Sequence, residues 1–250
     1  MRKPNELLTS RTRVEPRFAL LPLEGIPYSR LPEWPKGAVR VLAGPALGAR
    51  FAEYLLDLPA GSGGSHPADG EIESFIYLLR GTADLSIDGT GSRVAEGGFV
   101  LVPPTSSFEL TASSEASLLL LRKRYEPAAG IPMYGALVGN EREAKGEIYA
   151  GDDGAKLQTL IPDELQYDMA MNIFTFESGH GLPVTETHVM EHGLYVLQGK
   201  GVYFLGSSWM EVEATDFVWM GPFCPQSYYA AGSLASRYIY YKNVNREIAV

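Results

Sequence analysis

Glu191-His192-Gly193-Leu194-Tyr195-Val196-Leu197-Gln198-Gly199 is answered 118 residues earlier by Glu73-Ser74-Phe75-Ile76-Tyr77-Leu78-Leu79-Arg80-Gly81. Glutamate, tyrosine, leucine and glycine recur at the same places in a run that is otherwise mostly apolar. The same offset extends in both directions, pairing Gly61 with Gly179, Val94 with Val212, Phe99 with Phe217, Val100 with Val218 and Pro104 with Pro222. It runs without a gap from Leu47/Leu165 to Arg124/Lys242. Chance matches do not keep one register over such a distance, so the chain reads as two homologous domains in tandem.

Each copy reads as short strands separated by turns. Residues 51–58 and 169–176 alternate or run apolar, then stop at Gly61-Ser62-Gly63-Gly64 and Gly179-His180-Gly181. Further strands are expected at 75–79, 83–87, 99–102 and 118–121, and in the second copy at 194–197, 201–205, 217–220 and 238–241. Strands recurring every roughly 8–12 residues, with no sustained helical period, predict an all-β sandwich or barrel in each copy. The expected division is an N-terminal arm with edge strands (1–46), a first domain (47–125), a linker with strands (126–164) and a second domain (165–250). One helical turn is expected at 163–166.

Composition narrows the classes. The chain has 250 residues, 45% hydrophobic and 20% charged, with 27 glycines and 17 prolines, which is a globular, turn-rich make-up. Lys+Arg of 21 against Asp+Glu of 30 leaves a net charge of −9, and the longest basic run is Arg122-Lys123-Arg124. Phosphate backbones and anionic lipids attract basic surfaces, so neither nucleic acid nor membrane is expected as a partner. The apolar stretch 18–23 is too short for a signal core or a membrane span. A single cysteine, Cys224, cannot form an internal disulfide and fits a reducing compartment, so a cytoplasmic protein is expected.

Two of the four histidines lie in Glu186-Thr187-His188-Val189-Met190-Glu191-His192-Gly193. On a strand, residues two apart point to one face, so Glu186 and His188 are expected to look the same way, with His192 opening the next strand. One carboxylate and two imidazoles with open positions suit a divalent first-row metal. His180 reads as a turn residue, His66 as a solvated loop residue, Cys224 as packing, and Glu191, shared with Glu73, as structural.

The spacing Gly181-x4-Glu186-x-His188-x3-His192-x6-Gly199 resembles the first cupin motif, with the order of carboxylate and imidazole altered. Pro222-Phe223-Cys224-Pro225-Gln226 is similar to the second motif, with Gln226 in place of a histidine and one residue early. The tandem arrangement then implies a bicupin: two double-stranded β-helix (jelly-roll) barrels. The combination Glu, His, His, Gln resembles the (S)-ureidoglycine aminohydrolase family, manganese bicupins of allantoin breakdown. So do His-Val-Met-Glu-His-Gly at 188–193, Trp-Met-Gly-Pro-Phe at 219–223 and Arg-Tyr-Ile-Tyr-Tyr-Lys-Asn-Val-Asn-Arg at 237–246.

The resemblance implies an enzyme that converts (S)-ureidoglycine and water to (S)-ureidoglycolate and ammonia. It implies Mn²⁺ held by Glu186, His188, His192 and Gln226, and substrate contacts from Tyr203, Tyr238 and Lys242, with Glu186 and Lys242 as catalytic groups. It also implies a small-molecule substrate and a homo-oligomer. Tyr203 equally fits a core aromatic, and Lys242 a lysine whose stem lies on apolar surface. Subtracting 118 takes the four ligand positions to Ala68, Gly70, Ser74 and Phe108, of which only Ser74 is even a weak ligand, and takes Lys242 to Arg124. The first copy is therefore expected to be metal-free. Two rival functions remain: a cupin Fe(II) dioxygenase, against which the Gln ligand counts, and a non-catalytic bicupin that binds a small acid or sugar.

Overall fold

The computed structural model describes residues 10–246, so the ends of the expected arm and of the second domain, 1–9 and 247–250, lie outside the described residues. Among the described residues there are twenty-one strands, two short 3-10 turns and no α-helix. At 163–166, where a helical turn was expected, the chain makes a single hydrogen-bonded turn, Tyr167 N–H to the Glu164 carbonyl at 3.0 Å.

The strands in chain order begin with β1 (Arg13–Glu15), β2 (Phe18–Leu21), β3 (Ala38–Ala43), β4 (Phe51–Leu58), β5 (Gly63–His66), β6 (Ile72–Arg80) and β7 (Thr82–Ile87). They continue with β8 (Thr90–Ala95), β9 (Gly98–Val102), β10 (Phe108–Ala112), β11 (Ala116–Arg124), β12 (Leu137–Asn140), β13 (Gly146–Tyr149) and β14 (Asp152–Thr159). The last are β15 (Met169–Phe176), β16 (His192–Gln198), β17 (Lys200–Leu205), β18 (Ser208–Glu213), β19 (Phe217–Met220), β20 (Gln226–Ala230) and β21 (Ser236–Asn243).

The chain falls into two compact units. Among the described residues, one comprises 28–146, 158–172 and 243–246; the other comprises 10–27, 147–157 and 173–242. The first, called here the N-terminal unit, is built on a six-stranded sheet, β12-β9-β6-β11-β4-β3, and a four-stranded sheet, β5-β10-β7-β8. The second, the C-terminal unit, is built on an eight-stranded sheet, β1-β2-β19-β16-β21-β15-β14-β13, and a three-stranded sheet, β18-β17-β20. Two facing sheets with an apolar filling are the cupin jelly roll, and the protein is a bicupin.

The cores follow from strand alternation. In the N-terminal unit Leu56, Leu58, Ile76, Leu78, Leu85, Leu118 and Leu120 are buried in one cluster. In the C-terminal unit the corresponding filling is aromatic, with Phe174, Phe176, Tyr203, Tyr228, Tyr238 and Tyr240. A shared glycine opens the small sheet of each unit. A Cβ at Gly63 would lie 1.9 Å from the Leu110 carbonyl oxygen, and one at Gly181 would lie 2.2 Å from that of Tyr228. Only glycine permits that approach of two backbones.

The N-terminal residues are sorted by pairing. β2 lies beside β19, with Phe217↔Leu21 and Met220↔Phe18, and puts Phe18 and Leu20 into the C-terminal core.

The repeat register is kept by the strands and broken at two connections. β4/β15, β7/β17, β8/β18 and β10/β20 are related by 118 residues. After β20 the second copy is two residues longer, 231–235 against 113–115. Cross-strand pairing then sets Lys242 opposite His192 and Arg122 opposite Ser74. The counterpart of Lys242 is therefore Arg122, not Arg124. Before the ligands the chain slips likewise: Glu186 pairs with Gln226, and His66 pairs with Phe108. The counterpart of Glu186 is His66, not Ala68.

Candidate active site

In the N-terminal unit, β5 pairs regularly with β10, from Gly63↔Thr111 to His66↔Phe108. The same edge of the C-terminal unit is bulged. Gly181 bridges Tyr229 and Glu186 bridges Gln226, so five steps along one chain face three along the other. Residues 182–185, with Pro183 unable to donate to a ladder, form the excess. The expected strand carrying both Glu186 and His188 is thus not formed; Glu186 makes one bridge and His188 lies in irregular chain.

Backbone bonds fix this crossing to the start of β20, which carries the fourth donor, and to the loop before it. Glu186 N–H donates to the Gln226 carbonyl at 2.7 Å, and Gln226 N–H donates to the Glu186 carbonyl at 2.8 Å. Phe223 N–H donates to the His188 carbonyl at 2.6 Å from a left-handed conformation, φ +60°. A bulky residue there is strained, and its surroundings hold it.

The side chains converge. Glu186, His188, His192, Gln226, Tyr203, Tyr238 and Lys242 all line one cavity of about 110 Å³ in the C-terminal unit. Tyr149, Phe174, Leu182, Met220 and Tyr240 complete much of its wall. His188 Nε2 lies 3.0 Å from Glu186 Oε2, and the two imidazole rings are 5.6 Å apart. Tyr149 donates its hydroxyl to Glu186 Oε1 at 2.8 Å. Tyr203 donates to Gln226 Oε1 at 2.8 Å, so this tyrosine bears directly on the amide. Among the described residues no three His, Cys, Asp or Glu side chains close on a common point. Here Glu186 and His188 bond to each other, and the fourth donor is an amide.

The donors nevertheless fit a divalent cation. Burial drives the His192 imidazole down to about 3, helped by neighbouring His188 and Lys242, so its lone pair is free near neutral pH. Burial alone would raise the Glu186 carboxyl, but hydrogen bonds from His188 and Tyr149 outweigh it and hold it below the usual range. Two nitrogens, one anionic oxygen and one amide oxygen make a mixed N/O set suited to a first-row divalent ion. Burial holds the hydroxyls of Tyr203 and Tyr238 well above the ordinary tyrosine value, so both act as neutral donors.

The corresponding place in the N-terminal unit is filled. The Arg122 guanidinium lies against His66, with Nη2 at 3.0 and 3.1 Å from the ring nitrogens, and His66 also meets Asp69 at 3.3 Å. His66 is thus engaged rather than solvated. The hydroxyl-bearing wall is gone as well, since Tyr203, Tyr238 and Tyr240 correspond to Leu85, Leu118 and Leu120.

Sequence reasoning missed Tyr149, which falls in the expected linker, and passed over Tyr240 as a site residue. Its parity with Tyr238 and Lys242 on β21 was the available signal. Cys224 packs in the core, His180 pairs with Asp152 at 2.8 Å, and Glu191 accepts from the Trp219 indole at 2.8 Å.

No family model matches the chain. An (S)-ureidoglycine aminohydrolase of Escherichia coli strain K12 is 34% identical over 250 residues, covering 98% of this chain and 95% of that protein. Among solved structures, the YlbA protein of E. coli superposes with a TM-score of 0.85 at 31% identity over 100% of both chains. A cupin 2 conserved barrel domain protein of Leptotrichia buccalis, at 15% identity and a TM-score of 0.61, covers 86% of this chain and 91% of that one. The last likeness bears on fold alone.

Proposed function

The chain belongs to the (S)-ureidoglycine aminohydrolase family, and from that premise we propose that it is a Mn²⁺-dependent enzyme that hydrolyses (S)-ureidoglycine to (S)-ureidoglycolate and ammonia. The observation that carries the reading is the gathering of Glu186, His188, His192, Gln226, Tyr203, Tyr238 and Lys242 on one small cavity. Neither rival function accounts for this family membership.

Glu186, His188, His192 and Gln226 would hold the ion, which supplies Lewis acidity and a fixed anchor for the substrate. The reacting carbon of ureidoglycine carries an amino group, a ureido nitrogen and a carboxylate. The ureido lone pair helps expel ammonia, so the protein has to orient the molecule, protonate the leaving amine and present water to one face. Lys242 is the cation on the wall and binds the carboxylate. Tyr238 offers a neutral hydroxyl to the ureido oxygen, while Tyr203 divides its role between substrate and the Gln226 amide. Glu186, held ionised, is the group positioned to pass a proton. The apolar side of the wall, Phe174, Leu182, Leu194 and Met220, restricts the cavity to a small metabolite.

We further read the protein as cytoplasmic, on the strength of its single cysteine, and as a homo-oligomer, on the strength of its open sheet edges. No helix among the described residues is long and apolar enough to cross a membrane.

The deciding assay generates ureidoglycine in place from allantoate and allantoate amidohydrolase and follows ammonia. Manganese-loaded protein should accelerate release, chelation should abolish it, and no oxygen should be consumed. Unaccelerated ammonia release with intact metal loading would overturn the reading.

A further inference from the structure

Tyr149 belongs to none of the motifs, yet it holds one oxygen of the carboxylate on which the site depends. It ends β13, and Ala150 and Gly151, both left-handed at φ +52° and +79°, turn the chain into β14. Two consecutive left-handed residues make the tight hairpin turn that fixes strand register, and so fix where Tyr149 sits. Its ring stands edge-on to Phe174, 4.8 Å between centroids at 86°, and packs on the C-terminal core. Its hydroxyl donates to Glu186 Oε1 at 2.8 Å while Oε2 faces His188.

Glu186 needs such a partner because its backbone has one bridge and no strand around it.

We propose that Tyr149 is a positioning residue for the metal centre: its hydroxyl reserves Oε1 of Glu186 and leaves Oε2 as the single oxygen offered to the cation. Ligating carboxylates are commonly fixed by such outer hydrogen bonds, whose removal weakens metal binding about 10–100-fold. The inference rests on the metal-site reading above and assigns a residue that reading does not use.

The test is a Mn²⁺ titration of chelator-stripped protein, with the electron paramagnetic resonance spectrum of the bound ion as a second readout. Tyr149→Phe keeps the ring against Phe174 and removes only the hydroxyl. It should weaken Mn²⁺ binding about tenfold or more and alter the spectrum, with the stripped protein melting as the parent does. Tyr149→Leu, which removes the hydroxyl and the ring, is the second variant and should show the same loss. Leu157, like Tyr149, lines the cavity and packs partly buried on the C-terminal core; Leu157→Ala loosens that packing, spares the hydroxyl and should stay within about twofold of the parent. Parent-like affinity and spectrum in Tyr149→Phe would overturn the assignment, as would an equal loss in Leu157→Ala, which would mark the effect as packing. Failure of the unsubstituted protein to bind Mn²⁺ would instead remove the metal-site reading, and this inference with it.

Discussion

Lys242 and Arg122 stand at the same place in their units, and their neighbours decide what each cation does. Arg122 is turned onto His66, with Glu33 3.9 Å away, so its charge is answered from within the protein. Lys242 instead borders the cavity beside His192 and Tyr240. Removing a charged hydrogen-bonding group from a ligand forfeits about 1.5–3 kcal/mol, or roughly 10–150-fold. Lys242→Ala should therefore lower kcat/KM by that order, mainly through KM, while metal content stays that of the parent. Metal analysis beside steady-state kinetics checks this, and a fall in bound Mn²⁺ would refute the carboxylate-binding role. A second residue speaks to stability rather than catalysis. Glu53 is buried on β4 with no partner for its Oε2 among the described residues, and burial raises its carboxyl to about 8. The folded form thus binds this proton more tightly than the unfolded chain, whose carboxyl titrates near the ordinary value of about 4.3. Its contribution is fully present below that value and is lost as pH rises towards 8, by at most about 1.4 kcal/mol per pH unit. Glu53→Gln should melt like the parent at pH 4 and increasingly above it from pH 5 to pH 8. Parallel melting curves across that range would show that the carboxyl ionises freely in the fold.

At the scale of elements, the legible and the illegible parts of this protein separate along a physical line. The strands could be read because both copies must fill a core, and Phe99/Phe217, Val100/Val218 and Val94/Val212 are buried in both. Four strand pairs keep the 118-residue offset residue for residue. The connections could not be read, because lengthening a surface loop by two residues costs little while a slip within a strand turns its core face outward. That asymmetry explains why Arg124 and Ala68 were matched to Lys242 and Glu186 in place of Arg122 and His66. It also explains why the ligand types were found although their supposed strand is a bulge: the residues were visible in the sequence, their backbone was not. β2 was hidden for another reason, since its partner β19 lies about two hundred residues away and no local pattern reports such pairing. Phe18 on β2 is 5% exposed and packs in the C-terminal core. Phe18→Ala should destabilise that unit by about 3–5 kcal/mol, as expected for truncating a buried aromatic. Denaturant unfolding followed by the fluorescence of Trp219, on the paired strand, reads the loss. A midpoint unchanged from the parent would mean that the N-terminal segment is not a working part of the C-terminal sheet.

At the scale of the molecule, the two units of the repeat differ in what their corresponding edges can hold. The N-terminal unit has leucines where the other has the hydroxyls of Tyr203, Tyr238 and Tyr240, and Phe108 where the other has Gln226. Its single imidazole at the corresponding edge, His66, is covered by Arg122, and burial together with that cation lowers its affinity for a proton. Leu85, Leu118 and Leu120 are all at most 2% exposed, so the residues that stand in place of the hydroxyl-bearing wall are core residues. Loss of a single donor type would leave a weakened second site, whereas replacement of donors and wall together argues against one. Mn²⁺ titration of the stripped protein should therefore reach its end point at about one equivalent per chain, with no weaker second phase. His192→Ala, which removes a buried neutral imidazole from the C-terminal set, should take the total to zero. His66→Ala should leave the end point unchanged, because that ring is already engaged by Arg122 and Asp69. The three titrations bear on one another: a residual equivalent in His192→Ala that disappears on adding His66→Ala would assign metal to the N-terminal unit and overturn the division of labour argued from its leucines.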